Sequence, residues 1–245
     1  MKIMIINPDY GMTKEEMDLR CDILSRYIGA DVELSMECLT STKVYVDSAF
    51  DVVMAGPEIV SRAIQAQRDG FDAVVLYCFS DPALDACREA VSIPVVGGGQ
   101  ASCLVSMMVG RQSGILITDK RRMSEKMAFR YQTGLMPDNI RSIESVDLHH
   151  INVWKEREKT VEALEASSRK LMERDGVQVI ILGCLSFLGL AEPLSLKLGI
   201  PVVDSAKAAV SMAESLVRQQ LFTSKAAYAL PPAGERSWQA GCVTI

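Results

Sequence analysis

The chain has 245 residues, of which 49% are hydrophobic and 23% are charged, and its formal net charge is −5 at pH 7. This composition is typical of a globular protein with ample core, and a negative charge without a basic run argues against a nucleic-acid partner. No uninterrupted apolar stretch reaches the roughly 18 residues that a transmembrane helix needs, so we expect no membrane partner either.

The first part of the chain predicts alternating strands and helices. Residues 2–7 are typical of a buried strand, which Pro8 is expected to end. Thr13 and Glu16 have the spacing of a capping box, which predicts a helix that runs to about Tyr27. The predicted elements that follow are a short strand at 31–37, a loop at 40–50 and a helix at 57–69, which Gly70 ends.

One stretch of the sequence occurs twice, at residues 71–101 and again at 177–208. Each copy holds an apolar strand, a cysteine, one apolar residue, a serine, a helix-length segment and the sequence Ile-Pro-Val-Val. The matched residues are Cys78 and Cys184, Ser80 and Ser186, and Pro94 and Pro201. A repeat that keeps a cysteine at the same place in both copies indicates a duplicated architecture.

The alternation continues between the two copies and after them. Gly97, Gly98 and Gly99 are predicted to form a tight turn before a helix at 101–109, because neither a GxGxxG pattern nor a P-loop lysine accompanies them. The later predicted elements are strands at 113–118 and 140–147, helices at 120–131, 158–174 and 206–221, and an aperiodic tail at 223–245.

Continuous apolar strands that alternate with helices predict the fold class. We expect an α/β protein of two pseudo-symmetric Rossmann-like domains, each a mainly parallel sheet flanked by helices. Residues 1–97 together with 206–245 are expected to form the first domain, and residues 98–205 the second.

The predicted active site is the cleft between these two domains. Ligands of open parallel sheets bind outside the carboxyl ends of the strands, where Cys78 and Cys184 both lie. A pseudo-twofold relation between the halves would place the two cysteines on one cleft. The residues at the ends of the two first strands would line it too: Asn7, Pro8, Thr118 and Asp119.

The repeated cysteines favour one reaction above others. A thiolate is a good base, and the start of a helix lowers the pKa of a cysteine through exposed N–H groups and the helix dipole. Ser80 and Ser186 can offer hydroxyl and backbone N–H groups to an anionic oxygen. One cysteine can then remove a proton while the other returns a proton to the opposite face. This is stereoinversion by two bases, and it needs neither a metal nor a cofactor.

The other cysteines and the histidines have simpler interpretations. Seven cysteines without a CxxC pair indicate free thiols in a reducing cytoplasm. A lone cysteine is most often a small buried hydrophobe, and five are interpreted in this way: Cys21, Cys38, Cys87, Cys103 and Cys242. For Cys78 alone packing would be the better interpretation, but the repeat makes a paired catalytic role the stronger one. His149 and His150 are adjacent, and adjacent strand residues point to opposite faces, so we expect no metal site there.

The cysteine segments resemble those of a known family. The hydantoin racemase group of the aspartate/glutamate racemase superfamily has two segments similar to FDAVVLYCFSDPALDACREAVSIPVVGGGQA and VIILGCLSFLGLA…LGIPVVD. Its IINPN opening is similar to IINPD in this chain, and the strand that opens its second domain matches SGILIT. The resemblance extends to about Leu221, and Cys-Phe-Ser-Asp-Pro is its most specific part.

This resemblance implies two pseudo-symmetric α/β domains, a homo-oligomer, and racemisation without a cofactor. Cys78 and Cys184 correspond to the two bases of the group. The residues that correspond to those holding the substrate's carbonyl or carboxylate oxygens are Phe79, Ser80, Leu185 and Ser186.

The chain departs from the group at several positions. Asp9 stands where the group often has Asn, Gln100 where Glu is expected, and residues 185–187 (Leu-Ser-Phe) where Ala-Gly-Met is usual. The Cys-Asn-Thr signature of glutamate and aspartate racemases is missing, which favours a cyclic ureide, such as a 5-substituted hydantoin or allantoin, as substrate. The alternatives are an aspartate/glutamate-type amino-acid racemase, a one-cysteine cis–trans isomerase or decarboxylase, and a non-catalytic small-molecule binding protein.

Overall fold

The computed structural model describes residues 1–118, 120, 139–146, 148 and 152–234. Its strands form two four-stranded parallel sheets with equivalent topology, which confirms the predicted fold class. The first sheet, in the order β2-β1-β3-β4, consists of β1 (Lys2–Tyr10), β2 (Glu33–Leu39), β3 (Ala73–Leu76) and β4 (Val95–Gly97). The second sheet, in the order β6-β5-β7-β8, consists of β5 (Ser113–Ile117), β6 (Ile140–Ser145), β7 (Val179–Leu182) and β8 (Val202–Asp204).

Helices cover both faces of the two sheets. They are α1 (Lys14–Leu24), α2 (Ala49–Arg68), α3 (Leu84–Ala90), α4 (Gly98–Val109), α5 (Arg157–Asp175), α6 (Ala191–Leu198) and α7 (Ser205–Arg218). Short 3₁₀ turns lie at Ser25–Tyr27 and Leu185–Phe187. Within the described part of the chain, no helix combines the length and the apolar character needed to cross a membrane.

The two halves exchange one helix each. Helix α4 follows the first sheet in sequence but contacts β7 and β8 of the second, whereas α7 follows the second sheet and contacts β1, β3 and β4 of the first. The two helices also contact each other, and small side chains such as Ala101 and Ala209 let them approach closely within a core that both sheets share. The division into residues 1–97 with 206–245 and residues 98–205 stays a prediction, which this exchange favours.

Strand β1 does not end at Pro8 as expected but continues to Tyr10. Its pairing with β2 shifts register between Asn7 and Tyr10, so the ladder passes over Pro8, which has no N–H to donate. The Tyr10 N–H bonds to the Val44 carbonyl instead, at 2.9 Å. This irregular end of β1 contributes Asn7, Pro8 and Asp9 to the walls of the cavity between the two halves.

Helix α1 begins as predicted, whereas α2 begins earlier than predicted. The side chains of Thr13 and Glu16 each accept a hydrogen bond from the other's backbone N–H, which confirms the capping box. Helix α2 begins at Ala49 rather than Pro57, because the Ser48 side chain caps it and a proline inside a helix removes only one internal bond. The carbonyl that loses this bond belongs to Val53, four residues before Pro57. Val53 is 72% exposed, so water can solvate its carbonyl.

The three glycines do not form the predicted tight turn, because Gly97 ends β4 and α4 already begins at Gly98. A Cβ on Gly97 would overlap the carboxyl group of Asp81, and a Cβ on Gly98 would lie 3.0 Å from the Leu185 side chain and 3.3 Å from the Cys78 carbonyl oxygen. The glycines therefore allow the start of α4 to pack directly against both cysteine segments.

Part of the predicted tail is described and docks on the first half. The Thr223 N–H bonds to the Ser92 carbonyl, and the Lys225 ammonium donates to the carbonyls of Arg88 and Val91 at the end of α3. The predicted helix at 120–131 falls almost wholly outside the described residues, and Asp119, His149, His150 and Cys242 lie outside them.

Candidate active site

Except for Asp119, which lies outside the described residues, the sequence-predicted site residues line one cavity between the two halves. It has a volume of about 330 Å³ and lies at the carboxyl ends of β1, β3, β5 and β7. The predicted residues on its walls are Asn7, Pro8, Cys78, Phe79, Ser80, Thr118, Cys184, Leu185 and Ser186. Their roles in binding and catalysis remain predictions.

The two cysteines occupy equivalent backbone positions. The Tyr77 N–H bonds to the Ile6 carbonyl at 2.8 Å, and the Gly183 N–H bonds to the Leu116 carbonyl at 2.7 Å. Each bond continues the pairing of a central strand with the first strand of its own half. Cys78 and Cys184 are the residues that follow directly, so each thiol is held at the end of a buried strand.

Neither cysteine directly precedes an α-helix, which corrects the expectation of helix-dipole activation. Helix α3 begins only at Leu84, because Asp81 and Ala83 have positive φ angles of 49° and 58°, and helix α6 begins only at Ala191. The field of a helix terminus falls off within its first turn. The Cys184 residue caps the 3₁₀ turn Leu185–Phe187 instead, so the nearby backbone donors belong to turns.

Cys184 contacts the serine of its own segment. Its Sγ atom lies 2.9 Å from Oγ of Ser186, and either group can be the donor. A hydroxyl that donates to sulfur stabilises the thiolate form, and the hydroxyl can also be offered to a ligand oxygen. Ser80 occupies the matching sequence position after Cys78 and lines the same cavity.

Exposure separates the two repeated cysteines from three other described thiols, whereas Cys21, which was predicted to be buried, is also half-buried and differs by lying away from the cavity. Cys78 and Cys184 are half-buried and border the cavity, whereas Cys38, Cys87 and Cys103 are buried as predicted for packing residues. Burial raises the pKa of Cys87 and of Cys103 to about 12, so these thiols stay protonated at neutral pH.

Two buried carboxylates attach the cysteine segments to the starts of α4 and α7. Asp81 accepts the N–H groups of Gly99 at 2.9 Å and Gln100 at 2.8 Å. Asp204 caps α7 and accepts the N–H of Gly189 from the Cys184 segment at 2.7 Å. Burial raises the pKa of Asp204. Sequence reasoning missed both residues, although each occupies a definite place in the repeat, after Cys-Phe-Ser and after Ile-Pro-Val-Val.

A tyrosine links the halves directly at the site. The hydroxyl of Tyr77 donates to the Leu185 carbonyl at 3.0 Å, in a buried contact between the first half and the Cys184 segment. Burial raises the pKa of Tyr77, so the hydroxyl remains a donor at neutral pH. No sequence signal identified this bond, because its partners are 108 residues apart.

Arg20 is a second cavity residue that the sequence did not single out. It lies in α1, is 6% exposed and donates from Nη1 to the Glu16 carbonyl at 2.7 Å. Its guanidinium carbon lies 4.2 Å from the centre of the Trp154 ring, which belongs to the other half. A guanidinium that reaches the cavity can bind a carboxylate or carbonyl oxygen of a ligand.

Comparisons with known proteins show the family and the fold of the chain. The family model described as Asp/Glu/Hydantoin racemase matches residues 13–213. The hydantoin racemase of Rhizobium meliloti is 29% identical over 234 residues, covering 94% of this chain and 95% of that protein. That of Paenarthrobacter aurescens is 29% identical over 227 residues, covering 92% and 95%. The structure of an allantoin racemase from Klebsiella pneumoniae superimposes with a TM-score of 0.88 at 25% identity, covering 97% of this chain and 96% of that one.

Proposed function

The chain belongs to the Asp/Glu/Hydantoin racemase family, and from this premise we propose that it is a cofactor-independent racemase in which Cys78 and Cys184 are the two bases. The observation that carries the proposal is the placement of both thiols at equivalent strand ends on one cavity. Two half-sites of the same construction suit a reaction in which a carbon has its proton removed on one face and replaced on the other.

The reaction begins with one cysteine as a thiolate and the other as a thiol. The thiolate takes the proton from a carbon beside a carbonyl, and the electron pair moves into an enolate. The thiol then delivers its proton to the opposite face of the same carbon, which inverts the centre and leaves the two cysteines with exchanged protonation states. Turn N–H groups and the hydroxyls of Ser80 and Ser186 are suited to hold the enolate oxygen.

We propose a 5-substituted hydantoin or an allantoin-like cyclic ureide as the substrate. Relatives that align along most of this chain are named hydantoin racemases, and a structure with the same fold is an allantoin racemase. The missing Cys-Asn-Thr signature points in the same direction. Asn7, Pro8, Thr118, Phe79 and Leu185 would form the walls around the ring.

We further propose that the protein acts in the cytoplasm as a homo-oligomer. Half-buried free thiols at the site require a reducing compartment to stay active. Exposed apolar side chains on α4 and α6, among them Met108 and Leu196, would be covered by a second subunit.

Serine substitutions at the two cysteines test the mechanism. Cys78→Ser and Cys184→Ser should each lower the kcat of racemisation by about 10²- to 10⁴-fold, the usual contribution of a general acid or base. One variant should still exchange the proton of a single enantiomer in deuterated water, as followed by mass spectrometry beside a chiral assay. Cys21→Ser, which removes a half-buried thiol away from the cavity, is the matched control.

Two outcomes would refute the two-base reaction. Racemisation at the wild-type rate by both variants would exclude the cysteines as bases. Dependence on one cysteine only, together with release of carbon dioxide from a malonate-type acid, would assign the site to a decarboxylase instead.

A further inference from the structure

Arg20 is the one cation among the described residues that line the cavity. Its side chain is nine-tenths buried, and within the described ranges no carboxylate forms an ion pair with it. An arginine stays protonated at any physiological pH. The cavity therefore contains a permanent positive charge that is shielded from bulk water and has no anionic partner among the described side chains.

The contacts of Arg20 leave part of its donor capacity unused. Nη1 donates to the Glu16 carbonyl, and Nε is buried without a hydrogen-bond partner among the described residues. A buried donor without a partner is unfavourable unless a ligand or water satisfies it. Because Nε itself is inaccessible, Nη2, which forms no hydrogen bond with a described residue, is the group left to donate to acceptor oxygens of a ligand in the cavity.

The guanidinium is held in place from the other half of the molecule. It lies over the Trp154 ring, and Arg157 lies 5.4 Å from the centre of the same ring. Arg157 in turn donates to the Leu188 carbonyl at 2.8 Å, within the segment that follows Cys184. These contacts fix the position of the Arg20 charge relative to the Cys184 segment, which is the requirement for orienting a substrate.

From this arrangement we infer that Arg20 binds a carboxylate on the substituent of the substrate, so that the preferred substrates are 5-(carboxyalkyl)hydantoins or equivalent acidic cyclic ureides. The inference rests on the proposed racemase function. Arg20 comes from α1, which carries neither catalytic cysteine, so it is suited to contact the substituent rather than the reacting carbon. A guanidinium and a carboxylate form a bidentate, charge-assisted pair that a neutral substituent cannot reproduce.

Two carboxylates on the cavity wall oppose this preference. Asp9 accepts the Val46 N–H at 2.9 Å, and Asp47 is exposed to solvent. If they governed selection, a cationic substituent would be favoured instead. The two alternatives make opposite predictions for substituents of similar length.

The test compares three 5-substituted hydantoins with a carboxyethyl, a carbamoylethyl and an aminopropyl substituent. The wild-type enzyme should racemise the acid with a kcat/KM about 10- to 100-fold above that of the amide, as expected for a charge-assisted contact. Arg20→Met should abolish this ratio, and Arg20→Lys should retain part of it. Arg26→Met, which removes an exposed arginine just after α1, should leave the ratio unchanged.

Binding measurements separate this inference from the reaction mechanism. Calorimetric affinities of the acid and the amide for the Cys78→Ser/Cys184→Ser protein, with and without Arg20→Met, report the preference without turnover. A preference for the acid that depends on Arg20 supports the inference even where the two-base reaction fails. Equal affinities for acid and amide, or a preference for the acid that survives Arg20→Met, overturn the inference, as does a preference for the amine in the kinetic comparison. Racemisation of neutral hydantoins would still leave the proposed function intact.

Discussion

The carboxylate of Asp81 should be required for both the stability of the protein and the reactivity of Cys78. This carboxylate accepts hydrogen bonds from two backbone N–H groups at the start of α4, and the backbone N–H of Asp81 donates to the Cys78 carbonyl at 3.2 Å. The side chain packs against Gly97 so closely that a Cβ there would overlap it. Asp81→Ala therefore removes the only side-chain group that joins these N–H donors to the Cys78 segment in the described structure.

The expected loss of stability in Asp81→Ala follows from the two N–H donors that lose their acceptor. A buried N–H without a partner costs about 1–3 kcal/mol, so the loss of both should lower the free energy of unfolding by roughly 2–6 kcal/mol. Alanine at a positive φ adds about 1 kcal/mol of backbone strain. Asp81→Asn keeps one acceptor oxygen and tolerates this backbone, so its loss should be about half as large.

Urea denaturation and racemisation kinetics measure the two effects. We expect kcat of Asp81→Ala to fall by about 10- to 100-fold if Cys78 is the base proposed above, because displacement of a reacting group by an ångström has this effect. Asp85→Ala is the matched control, since its side chain lies near the same segment but is 79% exposed, and surface substitutions change stability by about 0.5 kcal/mol or less. The reasoning is wrong if Asp81→Ala unfolds at the same urea concentration as Asp85→Ala and retains its kcat.

Two further predictions concern the contact between the halves and the behaviour in acid. Tyr77→Phe leaves the Leu185 carbonyl without its buried donor, so the free energy of unfolding should fall by about 1–2 kcal/mol and kcat should decrease. Tyr27→Phe at the surface should change neither quantity. Equal urea denaturation curves for the two variants would contradict this prediction. Burial opposes ionisation of Glu58, but hydrogen bonds from the backbone of the 40–42 turn and from Arg62 hold its pKa at about 2, below the ordinary 4.5. Its stabilising effect is then complete above pH 4.5 and is lost as the pH falls toward 2. We therefore expect Glu58→Gln to lower the free energy of unfolding by about 1–2 kcal/mol at pH 7, after allowance for solvent screening, and by progressively less below pH 4.5. If the difference in unfolding free energy between Glu58→Gln and wild type does not narrow between pH 4.5 and about 2.5, ionisation of Glu58 is not the source of the stabilisation.

Local sequence patterns were sufficient to predict the architecture. The strands of a buried parallel sheet are continuous apolar runs, and Ile3 to Ile6 and Val179 to Leu182 show this pattern without ambiguity. Glycines at Gly70 and Gly176 ended the helices as predicted, because positive φ at a helix end is a property of one residue. The start of α2 was placed wrongly, since Pro57 alone suggested a first turn while the cap at Ser48 lay in a segment without periodicity.

The duplicated sequence also determined which residues meet. Two copies of one strand–cysteine–serine unit, set in equivalent sheets, bring Cys78 and Cys184 to one cavity whatever the details of the loops. Only the tertiary structure decided how those thiols are surrounded. Asp81 reaches the start of α4, Tyr77 bonds to Leu185 and Arg20 stacks on Trp154, and each pair joins parts of the chain that no periodicity relates. Sequence patterns indicate which face of a helix or strand is buried. The partner of a buried polar group depends instead on how separate elements pack against each other. That packing sets the charge and the hydrogen-bond donors that the cavity offers to a substrate.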